Sequence, residues 1–526
     1  PAAGEATTAP VAGATTAPAA GETPAAVAEV NGGTLVFAAE AIQGNLEPGA
    51  FYSFGDWQAI DLVGRGLVFF DYQAGSKPEP ALAESWTLSD DGKIYTFKMK
   101  QGLTFHDGTP VTATAVKRSF NRLLDEKDPA RGPNTYAGSE IGGTNVVSIE
   151  VPDEQTVVIT LKLPDVAYLK RMSNPNAIIL SPAALDKYGP TIGQNLVAAG
   201  PFKLDRIAAN QEVELSAFDG FYAGRPKLDR IVIRAIADET TIVSSLEAGE
   251  THLTNSAPIS ALAQLRANPN LKVEVGVPWI DIFMSLNANI APFDDKRVRQ
   301  AVSYAVNREN IRDAVFGGAL ELPAGIVTPP ELGYAPELAE FSSYNLEKAK
   351  ALLAEAGKVG AAVEISTVTS LFWPRIGELV QNDLNQAGFA CTFQKYDPGT
   401  LGGLYGEGKV AIGLNQRSAF VADPDNKLTP LLYSTSAVAQ GQTGNDKYPD
   451  AAEFDKMLDD ARQELDEAKR VTLYKDIQKW LLDRMPYVYL GYLALPVVSQ
   501  KNVMGVNTAA LGTYRTFLET ASIAQS

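Results

Sequence analysis

Hydrophobic positions change their spacing along this chain, and the change separates strand-rich from helix-rich stretches. Gly33-Thr34-Leu35-Val36-Phe37 is a short apolar run that predicts a strand. Ile94 to Met99 alternates apolar and polar side chains, the two-residue period of a half-buried strand. It follows Ser89-Asp90-Asp91-Gly92, whose Asp-Gly pair predicts a tight turn, so the two together predict a hairpin. Val146 to Val151 and Thr156 to Leu161, on either side of Pro152-Asp153-Glu154-Gln155, predict a second hairpin by the same logic.

Later the period lengthens. Val298, Ala301, Val302, Ala305 and Val306 fall on one helical face, with Asp294 or Asp295 placed to cap it. Asn345 predicts another helix start, running through Leu352 and Leu353, and Gly357 supplies the left-handed residue that stops it. Val471, Tyr474, Ile477 and Leu481 predict an amphipathic helix that must end before Pro486, and Tyr487 to Val498 reads as an apolar strand. Strands and helices interleave without a repeated unit, which predicts a mixed α/β to α+β fold with several lobes.

Size agrees with several lobes. The chain has 526 residues, more than one hydrophobic core supports, and about 150 residues per domain gives roughly three units. A hydrophobic content of 45% with 20% charged residues fits a globular protein, and no run of about 18 apolar residues is present to span a bilayer. The net charge of −17 opposes binding to phosphate backbones and argues against nucleic acid as a partner. One cysteine, Cys391, cannot form an internal disulfide, and two histidines, His106 and His252, cannot furnish most transition-metal sites. No metal site and no cofactor is therefore predicted. Cys391 reads as a small buried apolar residue.

Residues 1–30 are built almost entirely from Ala, Thr, Pro, Gly, Glu and Val, with a near-repeat of Gly-Glu-Ala-Thr-Thr-Ala-Pro. Such a stretch cannot bury enough surface to offset the entropy of ordering, so it predicts a tether. The chain begins without Met, as a processed export product does. The expectation is a spacer, roughly 30 Å in average reach, behind a removed signal segment that carries a lipid anchor.

The most specific pattern is an ordered set of short motifs. It opens with Pro80-Ala81-Leu82-Ala83-Glu84-Ser85-Trp86, Asp90-Asp91-Gly92-Lys93 and Phe105-His106-Asp107-Gly108-Thr109-Pro110. Ala199-Gly200-Pro201-Phe202, Asp219-Gly220-Phe221-Tyr222, Arg225-Pro226-Lys227-Leu228-Asp229 and Leu246-Glu247-Ala248-Gly249-Glu250 follow. Asn287, then Pro292 to Ala301, Tyr344 to Gly357 and Asp423-Pro424-Asp425 complete the set. In this order and over nearly the whole body they resemble the family 5 extracytoplasmic solute-binding proteins of ABC importers, the peptide, oligopeptide and nickel-binding type. Individually most of these residues are turn chemistry: Asp91-Gly92 and Asp107-Gly108 make turns, and Gly200-Pro201 places a bend.

The resemblance implies a two-lobed clamp with a discontinuous first lobe and an extra inserted domain. Lobe I is expected from 31–70, 200–286 and 487–526, the insert from 71–199, and lobe II from 287–486. Leu286 and Pro486, at the two crossings, are the expected hinge. Solute bound between the lobes shifts the population toward closure, and the closed shape is read by permease subunits with their ATPases. The implied protein is an extracytoplasmic monomer, periplasmic or at the cell surface, that touches a membrane only through its anchor.

A buried peptide needs both charged ends paired. By resemblance the amine-binding Asp stands three residues before the Asp-Pro element, where this chain has Phe420; Asp423 or Asp425 is placed to compensate. The carboxylate-binding arginine of dipeptide binders matches Arg375, and Arg417 is a second candidate for a bidentate pair. Aromatic residues Phe54, Trp57, Trp279, Phe372, Trp373 and Phe420 are suited to apolar side chains or to sugar rings. The cargo expected is an oligopeptide or peptide-like molecule, with an oligosaccharide or other neutral solute as the alternative. A ligand-presenting subunit for a membrane chemoreceptor or sensor is a third reading.

Enzyme signatures are missing from the sequence. There is no Gly-x-Ser-x-Gly, no Gly-Lys followed by Ser or Thr, and no His-Glu-x-x-His. Gly406-Glu407-Gly408-Lys409 follows a Gly-rich stretch and not an apolar strand, so it reads as a loop. The expectation is a binding protein and not a catalyst.

Overall fold

A computed structural model describes residues 31–50, 53–71, 77–132, 141, 143–276, 278–369, 372–418, 423–506 and 515–524. The alternation in Ile94–Met99 turns Tyr95, Phe97 and Met99 inward against Val116, Phe120 and Leu123 of the helix Ala113–Leu124. That strand lies inside a four-stranded antiparallel sheet, in the order Ala83–Leu88, Ile94–Met99, Thr156–Leu161, Val146–Asp153, so both expected hairpins form. Gly92 takes the turn with φ of 70°.

The first lobe carries a seven-stranded sheet. Its central strand Thr34–Ala39 runs parallel to Arg230–Ala235 and to Leu253–Thr254, while Glu212–Ala217, Phe202–Ala208, Pro496–Gln500 and Leu271–Val275 complete it in antiparallel pairs. The helix Phe54–Val63 packs on this lobe's core. Ser53 caps it, accepting from Asp56 N, at a value of about 1 kcal/mol. At Gly200 the chain passes against that helix so closely that a Cβ there would lie 2.5 Å from the Val63 carbonyl carbon and oxygen.

The second lobe carries a five-stranded sheet in the order Ala390–Tyr396, Ala362–Val368, Ile412–Ser418, Ile280–Leu286, Tyr487–Leu493. The first three strands are parallel and the last pairings antiparallel. Helices cover it: Lys296–Ala305 capped by Asp295, Leu346–Glu355 capped by Asn345 and followed by Gly357 at φ 66°, and Glu467–Arg484, which stops before Pro486. Among the described residues no helix is long and apolar enough to cross a membrane.

Two expectations change here. Strands Ile280–Leu286 and Tyr487–Leu493 belong to the second sheet, so the chain passes between the two sheets after the strand Leu271–Val275 and before Ile280, and again between Leu493 and Pro496, not at Leu286 and Pro486. Leu286 N donates to Pro486 O at 2.9 Å, pairing these two residues at the end of the second sheet. The apolar run Tyr487 to Val498 is accordingly two strands in two sheets. The expected insert also ends early: Ile178, Leu180, Leu185, Ile192 and Leu196 pack in the first-lobe core with Leu62 and Val63. Cys391 is half-buried, on an edge strand of the second sheet.

Candidate functional site

The two passages bring particular strand ends together. Asp281 is the second residue of Ile280–Leu286 and sits opposite Arg417 on one side and Tyr492 on the other. Trp279, 2% exposed, lies in the passage itself. Arg417 Nη2 donates to Asn426 O at 3.4 Å, and the Tyr492 hydroxyl accepts from Ala324 N and Gly325 N at 3.0 Å each. Asp281, Arg417 and Tyr492 thus stand side by side at the end of the second sheet that adjoins the first lobe.

Behind them is a buried charge cluster. The Lys427 ammonium bridges Asp281 and Glu331, with all three side chains essentially sealed from solvent. Glu331 Oε2 also accepts from Thr328 N and Oγ1 at 2.8 Å, whereas Asp281 Oδ1 and Glu331 Oε1 have no hydrogen-bond partner among the described residues. One ammonium between two carboxylates leaves a surplus negative charge. Burial, with Glu331 beside it, pushes the Asp281 carboxyl up to about 8 against the opposing pull of Lys427. Burial acts against the Lys427 charge, but its two carboxylate neighbours outweigh burial and hold its pKa above the ordinary lysine range.

Aromatic residues meet from both lobes. Phe54, at the start of its helix, is a first-lobe side chain packed against the second-lobe core, as is Ile259. Phe372 stands 4.9 Å from Phe316 and 4.9 Å from Trp373. Trp373 is buried in the second-lobe core, and Trp57 is buried in the first, its Nε1 donating to Ala50 O at 3.4 Å.

The remaining sequence candidates separate. Arg375 is exposed and directs Nη2 to Ala314 O at 2.5 Å, capping a neighbouring helix. Asp423 is fully buried and held by both Nη atoms of Arg470 at 3.0 Å, by the Tyr474 hydroxyl at 3.2 Å and by Lys170 at 3.6 Å. Phe420 lies outside the described residues. His106 donates from Nε2 to Gly200 O at 3.0 Å and packs edge-on against Phe218, a structural role at the bend. Sequence reasoning passed over Asp281, Glu331, Lys427 and Tyr492. The signal available was a charged residue inside the otherwise apolar Trp279-Ile280-Asp281-Ile282-Phe283.

A separate open concavity is lined by Gly44, Tyr188, Asn195, Arg206 and their neighbours, with no second-lobe residue, so it does not bridge the lobes.

Known proteins resemble this chain along most of its length. The family model described as "Bacterial extracellular solute-binding proteins, family 5 Middle" matches residues 77–438. The glutathione-binding protein GsiB of Escherichia coli (strain K12) is 31% identical over 437 residues, 82% of this chain and 83% of that protein. Among solved structures, the periplasmic binding protein DppA from Helicobacter pylori in complex with the peptide STSA superposes with a TM-score of 0.83 at 25% identity, covering 94% of this chain and 99% of that one. The binding protein AgaA in complex with agropinic acid, from A. tumefaciens R10, gives a TM-score of 0.82 at 27% identity over 94% and 99% of the two chains.

Proposed function

We propose that this chain, which belongs to the family 5 bacterial extracellular solute-binding proteins, captures a peptide or peptide-like solute between its two lobes and delivers it to the permease of an ABC importer. The reading is supported by relatives named as a glutathione-binding protein and as a binding protein in complex with the peptide STSA. The carrying observation is the convergence of Asp281, Arg417 and Tyr492 where the two sheets are joined. In this reading Arg417 meets the solute carboxylate, and Trp279, Phe54 and Phe372 grip its side chains. Aliphatic and aromatic contacts add to the affinity that the Arg417–carboxylate pair supplies. Arg375 and Asp423 are committed to other partners and take no part.

Motion in this reading occurs at the two passages, the one that enters the second sheet at Ile280 and the one at 494–495, so that solute-bound and solute-free lobes rotate about paired strands. The composition of residues 1–30 supports a spacer between the clamp and a lipid anchor, and the clamp works as a monomer outside the cytoplasm.

Calorimetric titration tests this with glutathione, a mixture of di- to tetrapeptides and a neutral oligosaccharide. Micromolar binding of glutathione or a peptide, about −8 kcal/mol, is expected. Binding of the oligosaccharide alone overturns the peptide assignment, and Arg417→Met is expected to weaken peptide binding at least tenfold.

A further inference from the structure

The domain inserted after the first strand pair touches both lobes, and the two contacts differ in chemistry. Toward the first lobe it is apolar: Leu67 of the first lobe lies in one core with Phe97, Phe120 and Met172 of the insert, and Ala130 of the insert lies in the first-lobe core with Leu62 and Val63. The buried Arg122–Glu47 pair, 2.6 Å, reinforces that side. Toward the second lobe the contact is a seam of charges. Arg171 of the insert pairs with Asp425, and Lys170 reaches Asp423 at 3.6 Å. Val166 N meets Arg462 O at 3.4 Å.

Each face of the seam is also paired within itself. On the second lobe, Asp423 has Arg470 at 3.0 Å, and Asp425 has Arg462 at 3.2 Å and the Thr429 hydroxyl at 2.7 Å. On the insert, Arg171 has Asp165 at 3.6 Å. Separating the faces therefore strands no charge in an apolar interior, and water replaces only the cross-seam links. Desolvation offsets most of the Coulomb attraction in such a contact, which makes it closable and reopenable, unlike the apolar face toward the first lobe.

We infer that Arg171 and Lys170 are positioning residues of solute capture: the insert rides with the first lobe, and these two side chains latch it onto Asp425 and Asp423 to hold the clamp shut. This rests on the clamp reading above. The latch touches no solute, so it changes how long the closed state lasts and leaves the choice of solute unaltered. Affinity is reduced by the fraction of molecules not in the binding-competent state, so losing the latch weakens every solute by the same factor.

The test compares Arg171→Met, Lys170→Met and the conservative Arg171→Lys. Spin labels on Glu126→Cys and Val359→Cys, in a Cys391→Ala background, report the distance from insert to second lobe. Without solute, the Met variants are expected to lose the short-distance population and Arg171→Lys to keep it. With glutathione or a peptide that binds the unaltered chain, release from the Met variants is expected to be about tenfold faster, with the ranking of solutes unchanged. Lys170 is partly exposed, so its variant carries the test without burdening the fold. Identical distance distributions together with unchanged release overturn the latch. Absence of peptide binding to the unaltered chain overturns the functional reading alone, because the distance measurement needs no solute.

Discussion

Replacing Lys427 with Met keeps most of the length of the side chain and removes the cation that bridges Asp281 and Glu331. Both carboxylates are at most 1% exposed, and one oxygen of each already lacks a partner among the described residues, so neither can recruit water without opening the core. Breaking a buried pair by deleting one member costs about 3–5 kcal/mol, since the survivor's charge stays uncompensated. That loss belongs to the second lobe and is read by denaturation followed through tryptophan fluorescence, Trp373 and Trp480 being second-lobe reporters. The pH dependence identifies the cause. An Asp281 carboxyl held up to about 8 keeps its proton when folded but ionises near 3.8 when unfolded, so between these values the folded state binds more protons. Stability from this group is therefore present at low pH and is lost as pH rises toward 8. Lys427→Met steepens the loss, because nothing then favours the ionised form. Asp281→Asn removes the surplus charge, flattens the dependence and leaves Lys427 paired with Glu331 alone. A Lys427→Met chain with an unchanged denaturation midpoint at pH 8, or one recovering stability as pH rises, refutes the reasoning.

Two further outcomes follow from the bend at Gly200. Gly200→Ala sets a Cβ 2.5 Å from the Val63 backbone and 2.7 Å from Leu62 O, atoms that cannot yield as a side-chain tip can, so a loss of about 3 kcal/mol or insoluble protein is expected. Purification yield and thermal midpoint check it. His106 beside it is held neutral, with burial pushing its pKa down to about 4, and a second proton would go to Nδ1, which is buried without an acceptor among the described residues. Its depressed pKa means the unfolded state binds more protons below about 6.5; on the order of 3 kcal/mol is lost as pH falls from 6.5 through 4 and below. His106→Asn is expected to lessen acid sensitivity in that window. Equal acid unfolding curves for the two chains would discount the buried imidazole.

How much of this was legible in the sequence depends on whether a local signal existed. Ile94–Met99 alternates because one face meets the helix Ala113–Leu124 and the other faces out, and that difference is written into its residues. Asp295 and Asn345 announce helix starts by accepting from the first-turn N–H groups of Arg297 and Lys348, and Gly357 announces a stop by its left-handed backbone. The motif order pointed to the family, and the fold agrees with it. The lobe crossings carry no comparable signal. Ile280–Leu286 and Tyr487–Leu493 are buried along their whole length, and Pro496–Gln500 nearly so, hence a passage from one sheet to another changes neither polarity nor period. Only pairing distinguishes them, and pairing is set by residues far away in the chain.

The same limit governs the site. Arg375 and Asp423 were singled out as charges in the right stretch, but a charge becomes available to solute only if nearer groups leave it unclaimed. Ala314 claims the first, and Arg470 with Tyr474 claims the second. Asp281 offered the opposite clue: ionisable, flanked by Ile280 and Ile282, in a strand with no buried cation nearby in sequence. Its cation, Lys427, comes from a helix 146 residues away. A lone carboxylate in an apolar strand must find such a partner or a proton, so its presence could have been read as a demand on the rest of the chain, though the sequence does not say which residue meets it. The helix that meets it begins just after Asp423-Pro424, which was legible as a family motif. In the fold that stretch of chain is shared by two charge networks, the Lys427 cluster behind the strand ends and the Asp423 and Asp425 seam facing the insert.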